Sequence, residues 1–139
     1  MKAVVCATLT CLWLAAAPAR AASPLEGRWI TASGNLEVTI AACGIALCGT
    51  VTQVLANHSM TPGAAPMQPK DKRTPLGMTI LSDVRADGDK AWQGRIYNRE
   101  NASSYDCTLA LQDDGLLNLR AYKGIPLFGK TQLWKRVQP

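Results

Sequence analysis

The sequence predicts an all-β protein: an antiparallel, up-and-down β-barrel of about eight strands. Short stretches of alternating apolar and polar residues recur from residue 25 to residue 137, and turn-forming residues separate nearly all of them. No stretch has the period of a long amphipathic helix. The connections are short, so sequential strands should pair as neighbours. A closed barrel of eight such strands removes exposed edges and has room for one small ligand.

The individual strands follow from this alternation and from the turns between them. We expect strands at 25–31, 35–43, 47–55, 78–84, 90–97, 104–112, 116–122 and 128–137. The Asp-Gly pairs at 87–88 and 114–115 are typical of hairpin turns. In the strand at 90–97, Trp92, Gly94 and Ile96 share one face, which we expect to point inward.

Two further strands carry candidate core residues. In the strand at 78–84, the alternation predicts that Met78, Ile80 and Val84 are buried. In the strand at 104–112, Cys107 shares an inward face with Tyr105 and two leucines. We therefore expect Cys107 to be a buried, small apolar side chain, the alternative being a reactive thiol.

Residues 1–21 are a predicted secretory signal peptide, and residues 22–139 are the predicted single barrel domain. A positive residue near the start precedes an apolar run at 3–17, and Ala19 and Ala21 fit the small residues that precede a cleavage site. The run is shorter than the roughly 20 residues of a membrane-spanning helix. No other stretch is long and apolar enough to span a bilayer.

The positive charge of the chain is spread along its length. The formal net charge is +5, and the only local cluster of bases, Lys70, Lys72 and Arg73, is interrupted by Asp71. Proteins that bind nucleic acid concentrate such charge on one face or element. We therefore interpret the basic residues as a solvated surface and predict no nucleic-acid partner.

Cys43 and Cys48 are predicted to form a disulfide across a hairpin. Directly opposed residues beside a short turn lie within bridging distance, and exported proteins fold in an oxidising compartment. A redox dithiol has two residues between its cysteines, whereas four lie between these. Zinc needs about four ligands, and the mature chain has three cysteines and one histidine without paired spacing. We predict no metal and no cofactor.

A proline-rich segment at 56–72 interrupts the strand pattern. Its prolines at 62, 66 and 69 are incompatible with a sheet interior and with a regular helix. Loops of this length are usually lids, binding loops or disordered segments.

The residues do not indicate an enzyme. His58 is the only histidine and lies in the proline-rich segment, and no serine lies in a Gly-x-Ser-x-Gly motif. Most carboxylates fall in turns or on outward strand faces. Asp83 and Asp106 are the two carboxylates that the fold could bring close together, but the sequence does not show whether it does.

Two sets of motifs carry a resemblance to known proteins. Gly27-x-Trp29 on the first strand, with Arg136 on the last, resembles the lipocalin and calycin arrangement, in which a basic side chain lies across a tryptophan and closes the barrel. A more specific set resembles an exported bacterial family, the domain of unknown function 2147. Its motifs here are Gly27-Arg28-Trp29, Cys43-Gly44-x-x-Leu47-Cys48-Gly49, Arg73-x-Pro75-Leu76-Gly77, Trp92-x-Gly94-x-Ile96-Tyr97-Asn98, Ser104-Tyr105, Leu117-x-Leu119-Arg120-Ala121-Tyr122 and Gly129-Lys130-Thr131-Gln132-x-Trp134-Lys135-Arg136.

That resemblance implies a lipocalin-like barrel in the bacterial periplasm or outside the cell, with an unassigned activity. Small-molecule binding is the function it suggests. The family often carries an acidic stretch before Arg-x-Pro-Leu-Gly, and in this chain only Asp71 corresponds to it.

We therefore expect an exported protein that holds a small apolar or amphipathic ligand in its barrel. The expected binding residues are Trp92, Tyr105, Met78, Ile80, Leu109, Leu119 and Arg73. The alternative is an envelope-maintenance module with a solid core, which contacts a protein partner through the loop at 56–72. A continuous cavity of a few hundred Å³ would favour a ligand, and a packed core with an ordered apolar loop would favour a protein.

Overall fold

The computed structural model describes residues 15–61, 63 and 66–139, and these form eight strands. The strands are β1 (Gly27–Ile30), β2 (Leu36–Cys43), β3 (Ala46–Val54), β4 (Thr79–Ala86), β5 (Ala91–Asn98), β6 (Ser103–Leu111), β7 (Leu117–Tyr122) and β8 (Lys130–Arg136). The last strand begins two residues later than predicted, because Pro126–Phe128 forms a 3-10 turn. Most of the predicted signal peptide, residues 1–14, lies outside the described residues, so the signal peptide stays a prediction. Within the described part, no helix is long and apolar enough to cross a membrane.

The strands form one closed antiparallel barrel, which confirms the predicted fold. Each strand pairs with the next along the chain, and β8 pairs with β1. The closing seam is short, with Trp29 opposite Arg136 and Ile30 opposite Lys135. The Arg136 guanidinium lies 4.2 Å from the centre of the Trp29 ring and donates to the carbonyl oxygen of Glu26 at 3.0 Å. The first and last strands are therefore joined by side-chain as well as backbone contacts.

Inward-facing side chains pack against one another along the barrel axis. The alternation predicted for β5 is present, with Trp92 and Ile96 buried and Gln93 and Arg95 exposed. The buried cluster draws on all eight strands and on Leu25, which precedes β1. Burying this much apolar surface is the main favourable contribution to the stability of the barrel.

The middle of β4 departs from the predicted alternation. Ile80 and Leu81 are consecutive and both buried, whereas Met78 is only partly buried. The register with β5 shifts in this strand, and Asp83 adopts a φ of 53°. The register with β3 shifts as well, because Gly49 and Thr50 lie opposite Leu81 and Thr79 and leave Ile80 as an extra residue. A β-bulge changes which face a side chain points to, so the irregularity at Ile80 lets Leu81 enter the core, and the one between Ser82 and Arg85 lets Val84 also point inward.

Cys43 and Cys48 form the predicted disulfide, with Cα atoms 5.5 Å apart. Their predicted position directly opposite each other is wrong. Cys43 lies opposite Ala46, and Cys48 lies opposite Ala41. The turn between the strands contains only two residues, 44–45, so Cys43 and Cys48 are diagonal neighbours across the hairpin. Side chains at diagonal positions are still close enough to form a bond.

Removing this disulfide is expected to weaken the barrel without unfolding it. A double Cys43→Ser, Cys48→Ser variant should lose about 2 kcal/mol of unfolding free energy, because the bond closes only a small loop in the unfolded chain. Urea denaturation followed by circular dichroism measures this difference. Complete loss of the β-sheet signal in the absence of urea would contradict the prediction.

Cys107 is the free cysteine of the described residues, and it is buried. Burial raises the pKa of its thiol to about 12, and the neighbouring Asp106 carboxylate contributes in the same direction. The thiolate is the nucleophilic form of cysteine, so this side chain is inert at neutral pH. The structure thus agrees with Cys107 as an apolar core residue.

Candidate functional site

The long segment between β3 and β4, residues 55–78, lies at one end of the barrel, which we call the mouth end. In an up-and-down barrel, alternate connections lie at the same end. The β1–β2, β5–β6 and β7–β8 connections therefore share the mouth end with this segment. We call the predicted loop at 56–72 the mouth loop. Backbone and side-chain hydrogen bonds attach it to two of these connections, β1–β2 and β5–β6.

Asn35, at the end of the β1–β2 connection, holds the start of the mouth loop. Its side-chain nitrogen donates to the carbonyl oxygen of His58 at 2.7 Å, and its side-chain oxygen accepts from the His58 backbone N–H at 2.7 Å. Its own carbonyl oxygen accepts from the backbone N–H of Leu55 at 2.7 Å. Asn35 is buried, so these bonds satisfy polar groups that would otherwise be costly to bury.

Glu100, in the β5–β6 connection, holds the middle and the end of the mouth loop. Its carboxylate accepts from the Ser59 hydroxyl and, at 3.1 Å, from the Met60 backbone N–H. Its carbonyl oxygen accepts from the Lys70 backbone N–H at 2.9 Å. One residue thus bonds two points of the loop that lie about ten residues apart in the sequence.

Asp71 joins the end of the mouth loop to the barrel wall. Its carboxylate accepts from the Arg73 guanidinium at 2.5 Å and from the Tyr97 hydroxyl at 2.7 Å. These two hydrogen bonds, that from Arg73 first, hold the pKa of the Asp71 carboxyl well below its usual range. The hydrogen bond to Asp71 raises the pKa of Tyr97. At neutral pH the carboxylate is therefore charged and the phenol neutral, so the Tyr97 hydroxyl can donate its proton in the hydrogen bond to Asp71.

Arg99 packs under the mouth loop beside Met67. One guanidinium nitrogen donates to the carbonyl oxygens of Asp71 at 3.4 Å and Arg73 at 3.2 Å, and another lies 3.6 Å from the Met67 sulfur. The Arg99 Nε is buried without a hydrogen-bond partner among the described residues. Met67 is the buried apolar side chain of the described part of the loop, and it does not belong to the main core cluster. The loop is therefore attached by polar contacts and by one methionine rather than by a continuous apolar face.

A groove of about 660 Å³ opens beside this network at the mouth end. Arg73 and Tyr97 line it on the side of the loop, and Leu76 and Met78 supply apolar surface. Asp71 contacts Nε and Nη2 of Arg73, and Nη1 has no partner among the described residues. Met78 also packs against the core cluster, whereas Tyr97 and Ser104 alternate with inward-facing residues and face outward, so the groove lies on the outer side of the barrel wall near the mouth. A cation beside apolar surface suits an amphipathic molecule with a negative head.

The structure separates the predicted binding residues into two groups. Ile80, Leu109, Leu119 and Trp92 are buried in the core cluster, with Met78 and Tyr105 packed against it. Arg73 lies outside the barrel at the mouth end. Tyr105 lies opposite Ile96 in the pairing of β5 with β6, and Ile96 is four residues along β5 from Trp92. The two aromatic residues are therefore about 13 Å apart along the strand direction.

Tyr105 is the predicted aromatic residue closest to the mouth. Its hydroxyl accepts from the Asn101 side chain at 2.6 Å, and the Lys123 ammonium lies 4.9 Å from the centre of its ring. Its position at the start of β6 sets it beside the β5–β6 and β7–β8 connections. Trp92 lies at the start of β5, near the opposite end of the barrel.

A second groove, of about 450 Å³, lies on the outer wall of the barrel. It contains Asp83 and Asp106, the two aspartates that the sequence left as a possible pair. Each is instead paired with an arginine: Asp83 with Arg85 at 2.7 Å, and Asp106 with Arg95 at 3.0 Å. The two carboxylates thus serve surface ion pairs.

Sequence reasoning did not identify Asn35, Met67, Arg99 or Glu100 as parts of the site. Asn35, Arg99 and Glu100 fall in short connections, where polar residues are usual, and Met67 is one of two methionines in a proline-rich loop. Their partners are distant in the sequence, with separations of 23 positions from Asn35 to His58 and 41 from Ser59 to Glu100. A single sequence carries no signal for such pairs.

Comparison with known proteins identifies the family of the chain and supports the barrel fold. Residues 27–136 match the sequence profile of a family described as "Uncharacterized protein conserved in bacteria (DUF2147)". The chain belongs to this family. Arg73, Leu76 and Tyr97, which line the mouth-end groove, fall within the matched region of this DUF2147 protein.

A solved structure shares the barrel. Protein HP1028 of Helicobacter pylori, described as belonging to the lipocalin family, superposes with a TM-score of 0.64 and 20% sequence identity. The match covers 82% of this chain and 83% of that protein. At this identity the similarity shows the fold alone, and it confirms the lipocalin-like barrel. None of the curated proteins shows significant sequence similarity to the DUF2147 chain.

Proposed function

We propose that this DUF2147 protein is exported, to the periplasm or outside the cell, and binds a small amphipathic molecule at the mouth end of its barrel. The observation that carries the proposal is the groove of about 660 Å³ that joins Arg73 to Leu76 and Met78. Small-molecule sites typically have volumes of 300 to 1,000 Å³, with apolar walls and a few polar groups. The disulfide suits an oxidising compartment.

Arg73 would bind the negative head of the ligand. Asp71 orients its guanidinium by bonding two of the three nitrogens, and Nη1 remains for a carboxylate, phosphate or sulfonate oxygen. Because the guanidinium is already held in place, less conformational entropy is lost on binding. Asp71 also offsets the positive charge of Arg73, so the attraction for an anionic head is weakened and the apolar contacts must supply much of the binding free energy.

The apolar part of the ligand would lie against Leu76 and Met78. Met78 packs on the core cluster, so a longer apolar chain could reach Tyr105 and Ile80 if the mouth loop moved. Trp92, Leu109 and Leu119 would form the floor of such a site.

Native mass spectrometry of the protein, purified after export by its own cell, tests the proposal directly. We expect a co-purifying small molecule. In parallel, the fluorescent anionic amphiphile 1-anilinonaphthalene-8-sulfonate should bind saturably. Repeated isolation of a bare chain, together with no saturable probe binding, would contradict the proposal.

Four variants locate the binding site. Arg73→Gln and Leu76→Ser should each weaken probe binding at least about fivefold, because each removes one class of contact. Arg95→Gln removes a matched surface arginine from the outer wall, and Ile45→Ser removes a matched exposed apolar residue from the opposite end. Both controls should bind like the unchanged protein. Equal binding by Arg73→Gln and Arg95→Gln would show that the probe lies elsewhere.

A second candidate function is an interaction with another envelope protein through the mouth loop. The observation that favours it is the packed interior, in which all the predicted binding residues except Arg73 belong to the core cluster or pack against it. The loop also exposes Met60, and Leu55 beside it is exposed as well. A bare chain in mass spectrometry, combined with cross-linking from the loop to one repeated protein partner, would support this function instead.

A further inference from the structure

The β7–β8 connection carries exposed apolar side chains at the mouth end. Leu127 and Phe128 are each 76% exposed, and Ile125 is also largely exposed. All three belong to or flank the 3-10 turn at Pro126–Phe128, which we call the apolar turn. A contiguous group of exposed apolar side chains of this kind usually marks a contact with a protein or a membrane.

Arg120 holds the apolar turn in its exposed position. Its guanidinium donates to the carbonyl oxygens of Pro126 at 2.7 Å and Leu127 at 3.2 Å, and to the Thr131 hydroxyl at 2.8 Å. Gly129 ends the turn so close to the neighbouring strand that a Cβ there would lie 2.8 Å from the Ala121 carbonyl oxygen. The turn therefore has a defined conformation, in which polar contacts fix the backbone while the apolar side chains point away from the barrel.

The charges that the chain carries on either side of the apolar turn have one sign, and Asp106, opposite Tyr122 on β6, is already paired with Arg95. After Asp114 the chain contains no acidic residue, and its basic residues are Arg120, Lys123, Lys130, Lys135 and Arg136. Lys123 and Lys130 flank the turn directly, and both are exposed. The apolar turn thus lies between Lys123 and Lys130, which we call the basic collar. This arrangement matches the negative surface and apolar interior of an anionic bilayer. A second copy of the same turn would be repelled.

We propose that the apolar turn docks this protein onto an anionic phospholipid surface, with Leu127 and Phe128 inserted and Lys123 and Lys130 among the headgroups. The contact would be peripheral and reversible, because only a few side chains enter the bilayer. It would place the mouth end of the barrel against the membrane. The inference does not depend on the proposed ligand, since the turn and the Arg73 groove share no residue.

Vesicle sedimentation tests this docking. Protein purified after export, with removal of the leader verified by intact mass, is mixed with vesicles of phosphatidylglycerol and phosphatidylethanolamine or with vesicles of phosphatidylcholine alone. We expect binding to the anionic vesicles, loss of that binding in high salt, and much weaker binding to phosphatidylcholine. Failure to bind anionic vesicles, or equal binding to both kinds, would overturn the proposal.

Variants assign the contact to the apolar turn. A Leu127→Ser, Phe128→Ser double variant should bind anionic vesicles at least about tenfold more weakly, because both apolar insertions are lost. Ile45→Ser, at a residue that is 88% exposed at the opposite end, is the matched control and should bind normally. Equal loss in both, or no loss in the double variant, would overturn the proposal.

The basic collar is tested separately. Lys123→Gln with Lys130→Gln should weaken binding to anionic vesicles several-fold and reduce its salt dependence, whereas Lys90→Gln at the opposite end should not. Circular dichroism confirms that each variant keeps the barrel. The double serine variant should still bind 1-anilinonaphthalene-8-sulfonate through Arg73, so that failure of the ligand proposal and failure of the membrane proposal give different results.

Discussion

Replacing Trp29 by alanine is expected to lower the free energy of unfolding by about 3 to 5 kcal/mol, because it empties a large, fully buried site. The indole also donates from Nε1 to the Leu25 carbonyl oxygen at 3.0 Å and lies under the Arg136 guanidinium. Since β1 and β8 share only two paired positions, the loss falls on the narrowest seam of the barrel. Urea denaturation followed by tryptophan fluorescence measures the change.

Lys135→Ala is the matched control on the same seam. Lys135 lies opposite Ile30 and is exposed, so its removal should change the unfolding free energy by no more than about 0.5 kcal/mol. A Trp29→Ala variant as stable as Lys135→Ala would show that the seam is not important for barrel closure.

Replacing Gly94 by valine is expected to cost about 3 kcal/mol of unfolding free energy, because the added side chain enters a filled core. A Cβ at position 94 would lie 2.8 Å from Val84 Cγ2, 3.0 Å from the Ser82 carbonyl oxygen and 3.1 Å from Val84 Cα. Two of these atoms belong to the backbone of β4, so a side-chain rotation alone cannot relieve the contact. The strand itself would have to move.

Two variants separate this steric effect from the change of residue type. Gln93→Val adds the same side chain at the neighbouring, outward-facing position and should be close to neutral, since valine suits an exposed strand. Combining Val84→Ala with Gly94→Val should recover part, not all, of the cost. A Gly94→Val variant with unchanged stability would contradict the close approach of β4 and β5.

The order and pairing of the strands could be predicted from the sequence because they depend on local patterns. Alternation around Trp92 and Ile96 identifies a strand and its inward face without any tertiary information. Short connections then leave few topologies in which neighbouring strands pair. The alternation did not predict that Leu81 is buried, because a bulge in β4 breaks the period-2 pattern and no residue type in the strand indicates the bulge.

The parts of the candidate site differ in how far the sequence identified them. Arg73 and Met78 were predicted, and both line the mouth-end groove. The prediction also placed Trp92 and Tyr105 around one cavity, whereas the structure places them near opposite ends of the barrel. Shared strand parity shows which face a residue occupies but not its depth along the barrel axis.

Residue types and short-range spacing were enough to predict an eight-stranded antiparallel barrel, a Cys43–Cys48 disulfide and a buried Cys107. The attachment of the mouth loop through Asn35, Glu100 and Arg99, and the exposed apolar turn held by Arg120, could be seen only in the folded protein. These contacts join residues far apart in the chain or depend on carbonyl groups that every residue has. They form only when closure of the barrel brings its alternate connections to one end.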